Sequence, residues 1–300
     1  MSSKTAELME KGLITGAPEF LRSSIQYEVI MGSMAYGVSN DTSDMDVYGF
    51  AIPPKEWVFP HLDNKVLGFD DYSPRFEQYQ EHHIRDLSAL GGKGREYDVS
   101  IYAIAKYFRL LMENNPNIID SLYVPENCVL HSTAIGDMLR ERRQLFLHKG
   151  CWAKFKGYSY GQMHKIRIKN PEGKRKDLVD KYGYDVKFAY HVVRLLNEVE
   201  QLLERHEMDL TLHREQLKSI RRGEWTLEAI EQYFTDKEKS LESQYAKTTL
   251  PDTPDTDAVR ELLLNCLEQH YGTLDGCISR GDSNHQVLRD IRSLLGQAGY

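Results

Sequence analysis

Apolar and polar positions follow two different patterns along the chain, and the pattern changes near residue 100. Before this point, short apolar runs are separated by glycine, proline and polar turns, which is typical of β-strands. The clearest predicted strands cover residues 25–31 and 47–52, and the second stops at Pro53-Pro54. Beyond residue 100, apolar residues recur at helical spacing.

The helical pattern predicts a series of helices after a short strand at 95–100. Ser100 is expected to cap the first helix. The predicted helices cover 101–113, 118–123, 132–147, 152–167, 177–206 with a break at 182–184, 225–245, 258–271 and 283–295. Together these patterns predict an α/β (α+β) fold, with a small mixed-sheet core over residues 1–150 and a helical domain over residues 151–300.

Two acidic residues, Asp44 and Asp46, stand where the second predicted strand begins. Side chains at i and i+2 leave the same face of a strand. Two such carboxylates repel each other unless a cation lies between them. Magnesium fits this position because it takes oxygen ligands and shares them with substrate phosphates.

Gly32 and Ser33 follow the first predicted strand, and ten residues separate Ser33 from Asp44. Gly32 lets the backbone approach a ligand closely, and Gly37 permits a turn. Ser33 could open a short helix whose free N–H groups bind phosphate. Each half of the pattern alone is more often a turn or a solvated loop. The joint pattern of strand, Gly-Ser, spacer, Asp-x-Asp and strand is much rarer, and favours a nucleotidyl-transfer site.

This joint pattern resembles the nucleotidyltransferase superfamily that includes DNA polymerase β. More narrowly, GSMAYG at 32–37 and SDMDVYG at 43–49 are similar to predicted nucleotidyltransferases of RNA repair pathways. The resemblance covers about the first two hundred residues. It implies a Mg²⁺-dependent enzyme that moves a nucleoside monophosphate from an NTP to an acceptor hydroxyl, with an RNA end, such as that of a tRNA, as the favoured acceptor.

The resemblance also implies a third carboxylate on a later strand. Asp98 is the candidate because Tyr-Asp-Val-Ser at 97–100 matches the family at this point, and Glu96, one strand period away, is the alternative. Two magnesium ions ~3.5–4 Å apart would bridge the carboxylates and the triphosphate. The predicted catalytic and metal-binding residues are Asp44, Asp46 and Asp98. In this part of the chain the predicted nucleotide-binding residues are Gly32, Ser33, Tyr36 and Ser43.

A second group lies on the long predicted helix. Lys187, His191 and Arg194 fall at i, i+4 and i+7 and share one helix face. Periodicity alone favours a solvated face with a packed histidine. However, KFAYHVVRLL at 187–196 resembles a second block of the narrower family, which implies that these three side chains bind the nucleotide triphosphate.

The charge is unevenly distributed. The net charge of −7 argues against an unspecific coat for nucleic acid. Residues 149–187 nevertheless hold eleven Lys or Arg against four Asp or Glu. Aromatic residues interleave with these charges, which indicates a site for NTP or RNA, with a solvated loop at 170–176 as the alternative. We therefore expect a nucleotidyltransferase core with the metal and NTP site over 1–150, and a basic nucleotide- or acceptor-binding face on the helical domain.

Several other classes of protein are disfavoured. No run of about 18 apolar residues predicts a membrane span, and the N-terminus lacks a signal-peptide pattern. Four widely spaced cysteines indicate neither a zinc site nor a disulfide framework, so we expect a cytoplasmic protein. His82 and His83 are expected to point to opposite faces of a strand and to chelate poorly. The alternatives to RNA modification are nucleotidylation of a protein or small molecule, and a catalytically silent nucleotide-binding regulator.

Overall fold

The computed structural model describes residues 2–39, 44–59, 76–168, 174–274 and 291. Ser43 and almost all of the predicted helix at 283–295 lie outside the described residues. The description below concerns these ranges.

A five-stranded mixed sheet organises the first half of the chain. Its strands lie in the order β3-β4-β2-β1-β5, with β2 and β4 parallel and the other neighbours antiparallel. Their bounds are β1 (Ile25–Met31), β2 (Met45–Ala51), β3 (Gln78–Asp86), β4 (Arg95–Ala103) and β5 (Val129–Ser132). The predicted α/β fold class is confirmed. β1 is buried along its whole length, as expected for an inner strand that is covered on both faces.

Strand β4 is longer than the sequence predicts. The prediction that Ser100 caps a helix is wrong, because β4 continues to Ala103 and the helix begins at Ile104. The apolar residues over 99–103 are buried between β2 and β3. Cross-strand packing therefore outweighs their helical periodicity. As a result, Asp98 lies inside the strand rather than at its end.

Thirteen helices are assigned within the described ranges. Their bounds are α1 (Lys4–Glu10), α2 (Leu21–Ser24), α3 (Lys55–Val58), α4 (Ala89–Gly92), α5 (Ile104–Met112), α6 (Pro116–Leu122), α7 (Ala134–Glu141), α8 (Gly150–Ile168), α9 (Lys174–Tyr182), α10 (Val186–Arg205), α11 (Arg214–Arg221), α12 (Leu227–Lys247) and α13 (Thr256–Tyr271). None of these helices combines the length and the hydropathy that a bilayer-spanning segment requires.

One predicted helix differs clearly from the observed one, and one predicted break is confirmed. The predicted helix at 132–147 is wrong at both ends, since β5 runs to Ser132 and Thr133 caps α7 with its side chain. The helix then stops at Glu141, before a short 3₁₀ segment. The break at 182–184 is confirmed, and Asp185 caps α10 by accepting the N–H groups of Lys187 and Phe188.

Helix α10 is the central element of the second half. Most of its residues are buried, and it packs against α8, α11 and α12. The apolar core is one cluster that contains sheet residues such as Val29 and Phe50 together with helix residues such as Leu195 and Val199. The division of the chain at residue 150 remains a prediction. The core shared between sheet and helices fixes α10 relative to the edge of the sheet where β2 begins.

Candidate active site at the edge of the sheet

Strand pairing brings the two halves of the sequence motif together. Met31, at the end of β1, lies opposite Asp46 on β2, and Asp46 lies opposite Asp98 on β4. Paired residues on neighbouring strands project from the same face of a sheet. The carboxylates of Asp46 and Asp98 therefore share one face. Both are half-buried, whereas Asp44 immediately precedes β2 and is exposed.

Gly32 provides the space that Asp46 occupies. A Cβ atom on Gly32 would lie 1.9 Å from Asp46 Oδ2, and the φ angle of Gly32 is +66°. A side chain is excluded here both by space and by the left-handed backbone conformation. The glycine thus lets the end of β1 pass directly beside the second carboxylate.

Residues 32–38 form a compact turn after β1. The N–H of Tyr36 donates to the carbonyl of Gly32 at 3.3 Å, and that of Val38 donates to Ser33 at 2.9 Å. The short helix that Ser33 could have opened is not formed, because Gly32 and Gly37 both have positive φ angles.

The same turn presents donors to its surroundings. Within the part of the chain that the structure describes, the backbone N–H groups of Ser33, Met34 and Ala35 have no acceptor. Successive free N–H groups in a turn form a concave site for an anion. The turn therefore has the donors that a phosphate group requires.

The electrostatics of Asp46 are unusual. Burial, followed in importance by the negative charges of Asp98 and Asp44, raises the pKa of Asp46 to about 6, although Lys187 and His82 oppose the shift. Across the described ranges, no Lys, Arg or His side chain forms an ion pair with Asp46. The carboxylate is thus crowded by like charge and lacks a close cation of its own.

A β-bulge in β3 places two histidines beside the acids of β4. The register between β3 and β4 shifts between Glu81 and Ile84, and His83 has a φ of 59°. The N–H of His83 donates to Asp98 Oδ1 at 2.8 Å, and His82 Nδ1 lies 3.6 Å from Asp98 Oδ2. The expectation that the two histidines point to opposite faces is therefore wrong, because it assumed a regular strand.

The second acid of β4 is held by the other histidine. The Nδ1 atom of His83 lies 2.5 Å from Glu96 Oε1. Glu96 also lies near Arg85, at 3.5 Å from its Nε atom. Glu96 thus has two basic neighbours on its own surface, whereas Asp98 faces Asp46. This difference favours Asp98 over Glu96 as the third acid.

The chemistry of the acids fits a hard divalent cation, since all three offer carboxylate oxygens. The crowding of Asp46 and Asp98 is the repulsion that such a cation relieves. Among the described residues, however, no three His, Cys, Asp or Glu side chains are arranged to hold a metal ion. Asp98 is engaged by the β3 bulge, so it would have to exchange these partners to join a common metal site.

Helix α10 carries one positive side chain that acts on Asp46 and one histidine in a positive environment. Lys187 is exposed, and its charge acts on Asp46. His191 is half-buried against the ring of Tyr190, with ring centres 4.2 Å apart. Burial and the nearby charges of Arg194, Lys187, Arg175 and Arg221 lower the pKa of His191 well below its usual value. The imidazole is therefore neutral within a positive environment.

Arg221 was missed by the sequence reasoning. Its Nη1 donates to the carbonyl of Val38 at 2.5 Å, at the end of the turn that begins at Gly32. Its guanidinium lies 5.7 Å from the ring centre of Tyr190. No local motif marks this arginine, because α11 reaches the turn only through the tertiary packing on α10.

Arg194 lies in a different environment from Lys187. It is buried, forms ion pairs with Asp120 and Glu198, and donates to the hydroxyl of Tyr36 at 2.7 Å. The hydroxyl of Tyr36 in turn donates to Asp120 Oδ2 at 2.8 Å. The guanidinium also lies 4.3 Å from the centre of the Tyr36 ring. Through these contacts, Arg194 and Asp120 hold Tyr36 and with it the turn. A direct contact of Arg194 with a nucleotide remains a prediction.

Part of the basic stretch at 149–187 is neutralised by acids from elsewhere in the chain. Most of its pairs join α8 to distant segments. The pairs are Lys149–Asp252, Lys154–Glu113, Lys156–Glu238 and Arg167–Glu231. Lys187 has no such pair in the portion of the chain described. Because the charge of Lys187 also acts on Asp46, Lys187 is the cation of this stretch that bears on the carboxylate site.

The chain matches one known protein family over most of its length. The sequence model of the RNA repair pathway DNA polymerase beta family matches residues 14–276. The crystal structure of a nucleotidyltransferase-like protein from Exiguobacterium sibiricum 255-15 aligns over 88% of this chain and 79% of that chain, with 10% identity and a TM-score of 0.29. No curated protein matches the sequence.

Proposed function

The chain belongs to the RNA repair pathway DNA polymerase beta family, and from this membership and the site we propose that it is a Mg²⁺-dependent nucleotidyltransferase. It would move a nucleoside monophosphate from an NTP to the hydroxyl of an RNA end. The observation that carries the proposal is the alignment of Asp46 with Asp98 beside the Gly32 turn. It brings a turn with free backbone N–H groups next to two carboxylates.

The reaction requires positioning and charge neutralisation rather than a protein nucleophile. The acceptor oxygen forms a bond to the α-phosphorus, the bond between that phosphorus and the bridging oxygen breaks, and pyrophosphate leaves. The hydroxyl proton passes to a nearby base or to water. Magnesium, when bound, supplies positive charge at the phosphates and lowers the pKa of the attacking hydroxyl. Asp44, Asp46 and Asp98 would hold it.

The nucleotide would lie between the turn and helix α10. The free N–H groups that follow Gly32, together with the hydroxyl of Ser33, would bind phosphate oxygens. Lys187 would neutralise the triphosphate from the opposite side, with the neutral imidazole of His191 as a further polar contact. Tyr36 and Arg194 are proposed to act through the turn as well as in nucleotide binding. Ser43 remains a predicted contact.

The test measures transfer of label from each α-labelled NTP in the presence of Mg²⁺ to RNA, protein or small-molecule acceptors. We expect label in RNA, and a loss of at least about 100- to 1,000-fold in Asp46→Asn, since this is the effect of removing one main electrostatic contact to the transition state. Asp98→Asn should lose activity similarly, and Glu96→Gln, the matched control on β4, should retain it.

The outcomes separate the candidate functions. Label in protein or in a small molecule would reject RNA as the acceptor and keep the transferase. NTP binding without transfer to any acceptor would indicate a silent regulator. Undiminished labelling by Asp46→Asn would overturn the assignment of the carboxylates.

A further inference from the structure

The edge of the sheet next to Asp98 carries a surface that the nucleotide site does not use. Among the strands of the described residues, only β4 pairs with β3, so β3 lies at the edge of this sheet. The β3–β4 hairpin turns over residues 87–94, beyond the end of the sheet where β2 begins. We define the hairpin surface as His82, Arg85, Leu87, Leu90, Lys93 and Arg95.

Two leucines at the tip of this hairpin are unusually exposed. Leu87 is 79% exposed and Leu90 is 50% exposed. Leu90 also has a left-handed backbone conformation, at φ 55°, which is uncommon for a leucine. Gly91, Gly92 and Gly94 have positive φ angles as well. The hairpin tip thus has a left-handed backbone conformation and exposes two apolar side chains to solvent.

The surface is also positively charged. Within the described ranges, Lys93 and Arg95 have no carboxylate partner. Arg85 is 75% exposed and forms an ion pair with Glu96 at 3.5 Å. The acid at the end of β3, Asp86, is already neutralised by Lys11 at 2.8 Å. A polyanion is the chemical class that such a set of cations attracts.

The position of the surface connects it to the proposed chemistry. Arg85 lies opposite Glu96 on β4, so its side chain leaves the sheet on the same face as that of Asp98. Arg95, three residues before Asp98, leaves β4 on the other face, beside the hairpin tip. His82 is 57% exposed and lies beside Asp98. An acceptor whose terminal hydroxyl reaches Asp98 can therefore continue outward past His82 to the hairpin tip.

We propose that the hairpin surface binds the single-stranded end of the acceptor RNA, an inference that rests on the proposed function. Arg85 contacts a phosphate on the face of Asp98, and Lys93 and Arg95 contact phosphates where the strand rounds the hairpin tip. His82 stacks on a base, and Leu87 and Leu90 pack against unstacked bases. Cations that track the backbone, combined with sequence-tolerant contacts to base faces, are the means by which proteins bind single strands. A protein acceptor would not need this combination.

The experiment compares three variants of the full chain. Lys93→Glu/Arg95→Ala reverses one charge and removes another, and Leu87→Asn/Leu90→Asn removes the apolar tip. Lys239→Glu, at an exposed lysine of α12, is the control for charge reversal. Binding of a short single-stranded RNA is measured by fluorescence anisotropy over a range of salt concentrations. Transfer kinetics are measured separately with saturating NTP.

We expect the charge variant to weaken RNA binding about 10-fold or more. It should also flatten the salt dependence by about 0.7 in log–log slope for each phosphate that the variant no longer neutralises. The leucine variant should weaken binding without changing the salt slope. Both should raise the KM for RNA and leave the KM for NTP unchanged, and Lys239→Glu should behave like the wild type.

Equal RNA binding by the wild type and both hairpin variants would overturn the inference, as would an equal loss in Lys239→Glu. The proposed function fails separately, if the wild type transfers no label to RNA under any condition. Because anisotropy needs no turnover, it tests the hairpin surface in that case too. Weakened binding of a protein acceptor by the same variants, with RNA binding unaffected, would reject RNA as the occupant.

Discussion

Two groups of charged side chains lie on either side of the Gly32 turn, and they differ in how their acids are paired. Behind the turn, Arg194 is buried with Asp120 and Glu198, and each acid is paired with the guanidinium. In front of it, Asp46 and Asp98 face each other without a protein cation between them. In the first group both acids share one guanidinium, whereas in the second group Asp46 has no ion-pair partner among the described residues.

This difference indicates what each group does. A buried ion pair with further hydrogen bonds holds elements in a fixed relation, here the turn, α6 and α10. Asp46 is crowded by the negative charges of Asp98 and Asp44, and a bound cation would relieve this repulsion. The buried cluster around Arg194 thus supports the turn, and the pair of Asp46 and Asp98 is available for a ligand.

The largest effect on stability is expected from Arg194→Met. Removing the guanidinium leaves the buried carboxylates of Asp120 and Glu198 uncompensated, so the free energy of unfolding should fall by about 3–5 kcal/mol. Lys187→Met, on the same helix but exposed, should change it by less than about 0.5 kcal/mol. Denaturant unfolding of both variants measures the contrast. Equal stabilities would show that the buried cluster does not hold the turn.

A smaller effect of the opposite sign is expected from Asp46→Asn. The pKa of Asp46 is raised from 3.8 to about 6 in the folded state. A raised carboxyl pKa destabilises the fold as pH increases through this interval, by on the order of 3 kcal/mol at pH 8. Without metal, the variant should therefore be more stable than the wild type at pH 8, and the difference should vanish below about pH 4.

Thermal unfolding between pH 4 and pH 8 measures this difference. Glu96→Gln serves as the control, because His83 lowers the pKa of Glu96, and its effect should have the opposite sign. A variant Asp46→Asn that is less stable than the wild type at pH 8 would contradict the idea that this site is strained by like charge.

The smallest effect is expected from Tyr36→Phe. It removes only the hydroxyl that joins Arg194 to Asp120, at a cost of roughly 1 kcal/mol in unfolding free energy. Because the ring keeps its packing, the fold should persist while the turn loosens. We expect a KM for NTP that is raised several-fold with a smaller change in kcat. An unchanged KM would separate the buried cluster from nucleotide binding.

The parts of the site that are local in sequence could be predicted from it. Gly32, Asp44 and Asp46 lie within fifteen residues, and the two flanking strands are short apolar runs with clear ends. Alternation and turn chemistry suffice to predict these local features. The prediction of Asp98 depends also on the family resemblance, and the pairing of β2 with β4 places it beside Asp46.

The remaining features depend on contacts between distant segments. The bulge at His82-His83 arises from the register between β3 and β4, which has no signature in β3 alone. The burial of Arg194 depends on Asp120, which is 74 residues away. Likewise, a count of charges along 149–187 could not include the acids of α12 that neutralise α8. Helical periodicity identified the face of α10 but not what lies against it.

The decisive measurement is a calorimetric titration of the full chain with Mg²⁺ or Mn²⁺ at pH 8, for the wild type, Asp46→Asn and Glu96→Gln. We expect the wild type and Glu96→Gln to bind the ion, and Asp46→Asn to lose at least tenfold in affinity. If Asp46→Asn bound the ion as tightly as the wild type, the paired acids of β2 and β4 would not be its site.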